Sequence, residues 1–446
     1  MFKKILFASS LCLFACPLFA NGEDSPQPPS LIKATLLAEI TPKGQKISGV
    51  ALEYEGEILS GSDLTDLYAV KTSLDQKDKA PRRIMRAYTN NQPAMSAQAK
   101  AGKFVIIELN PRDNNADLYA IQKENEQPKK FKAKDNAGNF VEVEKVQANS
   151  VPHYYDDRLV YHIQQTGLLK LRNGKTLDKT QIEQSAVKNQ VKTPYLDDFS
   201  AHTVSLNQPD NQLHYRLYVP QDKQTQPYPL TIFLHGSGQV GKDNLAHMLS
   251  SKGAISTLQY EKGFVLAPQY TQVFDPFDTK GIHWQTENRQ NLVLKMIDDT
   301  LKAYPNIDQN RIYLVGLSRG SEGALNLLLK RPHFFAGALL MSGREAGTVE
   351  WIDGNATKAM LEPIKQIPMW FFHSKEDKIS PVSGSRINVA LLKALNAPNV
   401  RYTEFSFEQA GDNGIINNNA HNTWDSVFNS PEVMTWLLQQ QLTESK

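Results

Sequence analysis

From residue 213 onward short apolar runs alternate with helical patterns, and nothing else in this 446-residue chain restricts its fold so tightly. Runs at 215–220, 230–234, 264–268, 311–315, 335–341, 368–372 and 400–407 read as strands. Helical periodicity separates several of them, notably at 291–304, 322–330 and 385–395. Strands that are apolar almost throughout, divided by helices, predict a mainly parallel sheet covered on both faces. The last helix carries its own signals. Ser430 can cap it, Pro431 suits its first turn, and Val433, Trp436 and Leu437 form a buried stripe.

The first part of the chain has another texture. Val50, Leu52 and Tyr54 alternate with Ala51 and Glu53, as in a half-buried strand, and 103–109 and 140–146 read as further strands. Turn clusters such as Gly61-Ser62-Asp63 and Pro111-Arg112-Asp113-Asn114 separate them, with no helix-length pattern between. This predicts a small antiparallel sandwich over 31–150 and a second domain over 206–446. The stretch 151–205 reads as a connecting segment. Within it, 168–177 holds the hairpin pair Asn173-Gly174, and the polar run 178–193 reads as a linker or weak helix.

Lys3 and Lys4 precede an apolar run from Ile5 to Ala20, and a polar stretch over 21–30 follows at once. That is the layout of a secretory signal peptide cut after Ala20, too short to span a membrane, so the protein is expected to be exported to the periplasm or beyond. Leu13-Phe14-Ala15-Cys16 also loosely resembles a lipoprotein box, which would tether the chain to a membrane through Cys16. Both cysteines, Cys12 and Cys16, lie inside this segment, so the body of the chain has no thiol for disulfides, nucleophilic catalysis or metal ligation. A formal charge of +2 with scattered Lys and Arg argues against nucleic acid as a partner.

Gly316-Leu317-Ser318-Arg319-Gly320 fits G-x-S-x-G and sits between the strand 312–315 and a helix. Small residues two before and two after the serine permit a sharp turn that exposes its hydroxyl at a helix N-terminus. A serine at its ordinary pKa needs a base. Of the later histidines, His333 reads as a helix-end or surface residue and His373 as a packed strand-end group. His421 lies in a polar loop before the last helix, the place a base occupies in the chain order serine, acid, histidine. The acid then comes from Ser374-Lys375-Glu376-Asp377-Lys378 after the strand 368–372, with Asp377 chosen and Glu376 its near rival. Leu234-His235-Gly236-Ser237-Gly238 follows a strand where an oxyanion loop belongs, and the expected donors are the Ser237 and Arg319 backbone N–H groups. Arg319 is further expected to favour substrates that carry a carboxylate. Trp284 reads equally as a wall of the acyl or alcohol site and as a core aromatic, and Gln269 is a second candidate substrate contact.

Gly236 to Lys242 also fits the phosphate-loop skeleton G-x-x-x-x-G-K, but Asp243 stands where Ser or Thr would bind magnesium, and its carboxylate would repel phosphate.

Tyr215-Arg216-Leu217-Tyr218-Val219-Pro220, Phe233-Leu234-His235-Gly236-Ser237-Gly238, Leu266-Ala267-Pro268-Gln269, Arg311-Ile312-Tyr313-Leu314-Val315-Gly316-Leu317-Ser318 and His421-Asn422-Thr423-Trp424-Asp425 follow one another in order. With them, residues from about 213 to 440 resemble the secreted carboxylesterase and "predicted peptidase" branch of the α/β hydrolases, related to feruloyl esterases and polyhydroxybutyrate depolymerases. Lys46-Ile47-Ser48-Gly49-Val50 and the domain order resemble the immunoglobulin-like domain that precedes such catalytic domains in some bacterial esterases. The resemblance implies an α/β-hydrolase fold after an all-β sandwich, with Ser318 as nucleophile, Asp377 as acid and His421 as base. It implies no metal or organic cofactor. It also implies a small-molecule or polysaccharide-linked ester as substrate; a peptidase with the same triad and a catalytically idle binding protein are the alternatives. Two departures stand out: Ser321 follows Gly320 where a second glycine is usual, and 407–420 is long, its tip expected to close over substrate. Oligomeric state is not legible.

Overall fold

The computed structural model describes residues 31–442 apart from 60–62, 78, 126–128, 135–138, 146–147, 223–225, 349–355, 407, 410, 412–413 and 418. The expected signal peptide, the 21–30 linker and Cys16 lie outside the described residues.

The N-terminal part is a sandwich of two four-stranded antiparallel sheets. One runs Leu31–Thr41, Gly44–Ile58, Gly102–Leu109, Ile84–Asn90; the other runs Gln181–Ala186, Asp156–Gln165, Tyr68–Leu74, Ala80–Pro81. Val50, Leu52 and Tyr54 face Val70, Tyr161 and Ile163 in the shared core. Period-two patterning explains why. Ala51, expected on an open face, is also buried, because Leu37, Tyr88, Phe104 and Ile106 build a small second cluster on the outer side of that sheet.

The stretch 151–205 is not a connector. Asp156–Gln165 is a central strand of the second sheet and Gln181–Ala186 is its edge. The edge strand offers only Ile182 and Ala186 to the interior, too sparse a pattern to be read as a strand. Asn173-Gly174 does turn a hairpin, joining Leu169–Lys170 to Thr176–Leu177 with Gly174 at φ 84°. Phe199–Leu206 already belongs to the sheet of the next domain.

That sheet has eight strands: β1 (Phe199–Leu206), β2 (Gln208–Tyr218), β3 (Tyr228–Leu234), β4 (Phe264–Gln269), β5 (Ile307–Leu317), β6 (Gly337–Met341), β7 (Met369–Ser374) and β8 (Val400–Phe405). Their order is β1-β2-β4-β3-β5-β6-β7-β8, antiparallel through the first three and parallel from β4 to β8. Successive residues of the central strands go to opposite faces. Leu314 packs with Leu292, Ile297, Leu325 and Leu328, while Val315 packs with Phe428, Val433 and Leu437. Helices α1 (Glu287–Ala303), α2 (Arg319–Lys330) and α3 (Ser383–Ala394) thus cover one face, and α4 (Pro431–Leu438) lies on the other. Each fully buried Leu or Val contributes ~2 kcal/mol of transfer free energy, which makes this two-sided burial the main force holding the sheet flat against its helices. Ser430 caps α4 as expected, its Oγ accepting from Val433 N at 3.1 Å. No helix among the described residues is long and apolar enough to cross a membrane.

Candidate active site

The strand–turn–helix at β5 and α2 leaves one residue between them. Ser318 takes φ 52° and ψ −121°, a conformation worth roughly 1–3 kcal/mol of strain for a side-chain-bearing residue. The turn is held by Ser318 N–H donating to Met341 O at 2.8 Å. It is also held by close packing. A Cβ on Gly320 would stand 1.9 Å from Leu234 O, and one on Gly316 would stand 2.2 Å from Gly320 O, so neither position accepts another residue. Two glycines therefore place the hydroxyl at the C-terminal edge of the parallel sheet.

His421 and Asp377 meet Ser318 there. Ser318 Oγ lies 2.9 Å from His421 Nε2, and His421 Nδ1 lies 2.7 Å from Asp377 Oδ2. Glu376 points elsewhere, accepting from Ser374 Oγ at 2.8 Å. His333 is at the surface. The chain around His421 is tied down: Thr423 Oγ1 bonds Ser342 Oγ at 2.8 Å, Asn417 and Ser426 bond each other twice, and Trp424 packs edge-on against the imidazole at 5.4 Å. Residues 407, 410, 412–413 and 418 of the 407–420 segment, whose tip is expected to close over substrate, lie outside the described residues.

Asp377 has a wholly buried side chain. Burial alone would raise its pKa, but hydrogen bonds from His373 and His421 outweigh that and hold it well below the ordinary carboxylate value. Its other oxygen accepts from Ile379 N at 2.9 Å and Ser380 N at 3.0 Å. Sequence reasoning placed His373 as a packed strand-end residue. It is that, and its Nε2 is also 3.2 Å from Asp377 Oδ2. The signal available in sequence was its position four residues before the acid.

The loop after β3 lies against the nucleophile, since a Cβ on Gly236 would stand 3.3 Å from Ser318 Cβ. Ser237 opens a short 3₁₀ turn, Ser237–Gln239, directly after Gly236, and Arg319 opens α2 directly after Ser318. Trp284 and Gln269 do not form a substrate wall. Both are buried; Trp284 Nε1 donates to His235 O at 2.9 Å, and Gln269 Nε2 donates to Gln239 O at 2.8 Å. They brace the loop from beneath. His235 is also buried, and burial lowers its pKa to about 4, which keeps the imidazole neutral under the loop. Asp243 completes the exclusion of a phosphate loop: its carboxylate takes Gln269 Nε2 and Ala246 N, and only a four-residue helix follows.

Arg319 is not available to a substrate carboxylate as expected. Its Nη1 donates to Glu322 Oε2 at 2.9 Å, both side chains are largely buried, and the pair leaves no net charge beside Ser318.

Behind the His421 loop, Asp425 is buried and bonded to Asn422 Nδ2 at 2.6 Å. Burial raises its pKa to about 6, only partly offset by that bond. A carboxyl whose folded pKa exceeds its unfolded value loses folding stability as pH rises from ~4 to the folded value, and the loss is complete above it. Asp425→Asn is therefore expected to raise stability by ~2 kcal/mol at pH 8 and to change little at pH 4, read from urea unfolding at both pH values. Equal effects at the two pH values would refute it.

Among the described residues no group of three or more His, Cys, Asp or Glu side chains is arranged to hold a metal ion. A cleft of about 630 Å³ separates the domains and is lined by Tyr119 and Tyr155 on one side and Gly238 and Gln239 on the other, so the sandwich borders the loop beside Ser318.

Residues 33–178 match the family model for the esterase Ig-like N-terminal domain, and residues 218–411 match that for phospholipase/carboxylesterase. No curated protein matches the chain. A solved structure described as a thermostable esterase is 27% identical, with a TM-score of 0.68, and the match covers 92% of this chain and 99% of that one. More distant similarity is seen to a ferulic acid esterase (13% identical, TM-score 0.38, 54% of this chain and 98% of that one). Staphylococcus aureus fluorophosphonate-binding serine hydrolase F is similar at the same level (16% identical, TM-score 0.40, 54% and 99%). The chain is thus an esterase with an α/β-hydrolase fold, its esterase Ig-like domain followed by a phospholipase/carboxylesterase domain.

Proposed function

We propose that the chain hydrolyses carboxylic esters through an acyl-enzyme on Ser318. His421 takes the serine proton as Oγ attacks the acyl carbonyl, then gives it to the leaving alcohol. Water, deprotonated by the same imidazole, releases the acid. Asp377 fixes the histidine tautomer and stabilises the imidazolium formed in each half. The Ser237 and Arg319 N–H groups receive the oxyanion, each such donor contributing ~3 kcal/mol to the transition state. The observation that carries this reading is the unbroken relay from Ser318 Oγ through His421 to Asp377, at 2.9 and 2.7 Å. Purified protein should hydrolyse p-nitrophenyl acetate and Ser318→Ala should not; activity that survives in the variant refutes the assignment.

The substrate we propose is a small-molecule or polysaccharide-linked ester, met outside the cytoplasm. Support for export comes from Lys3, Lys4 and the apolar run to Ala20. Protein recovered from the periplasm or medium should have Asn21 as its first residue by mass; an intact Met1, or a lipid on Cys16, would overturn cleavage at Ala20.

A further inference from the structure

We propose that His373 is a positioning residue of the triad, a second imidazole that holds the Asp377 oxygen on which His421 depends. This rests on the reading of Ser318, His421 and Asp377 given above.

His373 is the fifth residue of β7 and is completely buried. Its Nε2 faces two oxygens, Ser380 O at 2.8 Å and Asp377 Oδ2 at 3.2 Å. Neither a carbonyl nor the ionised carboxylate can donate, so this nitrogen carries a proton and shares it between them. Nδ1 lies 2.8 Å from Ser385 Oγ on α3, which fixes the ring from the far side. The imidazole is thereby locked between a strand end, the acid loop and a helix.

The consequence falls on one atom. Asp377 Oδ2 takes His421 Nδ1 and His373 Nε2, while Oδ1 is held by the Ile379 and Ser380 N–H groups. With the carboxylate sealed from water, no solvent molecule is at hand to replace a donor lost from Oδ2. Without His373 the carboxylate keeps its backbone anchors but loses the contact that sets its twist toward His421. Ser380 O loses its donor at the same time, which loosens the loop that carries the acid. Such a change acts on proton transfer and leaves substrate contacts alone.

The test compares His373→Leu, which removes the donor, with His373→Gln, whose amide N–H reaches the position of Nε2. On p-nitrophenyl acetate, His373→Leu should lower kcat by about 10- to 100-fold with KM changed by less than about twofold, since a displaced catalytic group costs rate rather than binding. His373→Gln should restore most of that loss. In an Asp377→Ala background His373→Leu should cost nothing more, because there is no longer a carboxylate to hold. Wild-type kcat in His373→Leu, no rescue by Gln, or a full additional loss in the Asp377→Ala background would each overturn the proposal. If His373→Leu does not fold, Ser385→Ala releases only the far side of the ring and should lower kcat at constant KM; unchanged kcat there also overturns it. An active Ser318→Ala would instead remove the triad reading on which all of this stands.

Discussion

His421→Ala and Ser318→Ala should each lower kcat toward p-nitrophenyl acetate by about 10⁵- to 10⁶-fold, and the double variant should be no worse than either alone. The reason lies in the division of labour at 2.9 Å. A neutral hydroxyl attacks slowly, and an imidazole without a hydroxyl to deprotonate has nothing to do, so the second loss removes a group already idle. What should survive is the stabilisation from the proposed Ser237 and Arg319 N–H donors and from substrate binding, about 10³- to 10⁴-fold over water in a comparable site. The fold should tolerate both changes. Ser318 holds its turn through backbone bonds, and Asp377 keeps His373 as a donor when His421 is gone. Steady-state rates of the three variants, with circular dichroism as a control for folding, decide the matter. Losses that multiply in the double variant would mean that the two side chains act independently, and the relay would not be the engine of the reaction.

The side chains that the structure brings together at Ser318 are marked locally in the sequence. The elbow is legible because Gly316 and Gly320 answer to sub-van der Waals clashes that no other residue escapes, and β5 and α2 are long enough to announce themselves by periodicity. His421 and Asp377 followed from chain order, Asp377 coming just past β7 and His421 in the polar stretch between β8 and α4. Features that depend on two distant segments were lost. Gln181–Ala186 is a strand only because Asp156–Gln165 pairs with it; its own polar residues do not say so. Arg319 looked like a free charge until Glu322, one helical turn on, was seen to neutralise it, although i,i+3 spacing was there to be used. Trp284 and Gln269 lie far from the loop in sequence, and only their burial and hydrogen bonds show that their polar tips face the loop backbone from below. His373 is the most instructive case: a strand-end histidine is ordinary, and its role comes from a tight turn that returns Asp377 to its side.

Asp377→Asn should lower kcat by about 10⁴-fold near neutral pH, more than the loss of one charge would suggest, because the amide cannot satisfy its surroundings. The carboxylate accepts from Ile379 N, Ser380 N, His421 Nδ1 and His373 Nε2, and none of these partners is a free acceptor. An amide brings one oxygen and one NH₂. The two backbone N–H groups cannot change their character, so the oxygen goes to them and the NH₂ takes the place of Oδ2. His421 must then present a lone pair at Nδ1 and carry its proton on Nε2, facing Ser318 as a donor, and in that tautomer it is no base. Stability should report the same site. Asp377 has a folded pKa below its unfolded value, so its contribution is in full force above about pH 4 and is lost as pH falls through the folded value. Asp377→Asn should therefore melt well below the wild type at pH 7, with the gap narrowing steadily below about pH 4. A variant within tenfold of wild-type kcat, or a melting gap that stays constant into acid, would show that the carboxylate neither sets the tautomer nor anchors the loop.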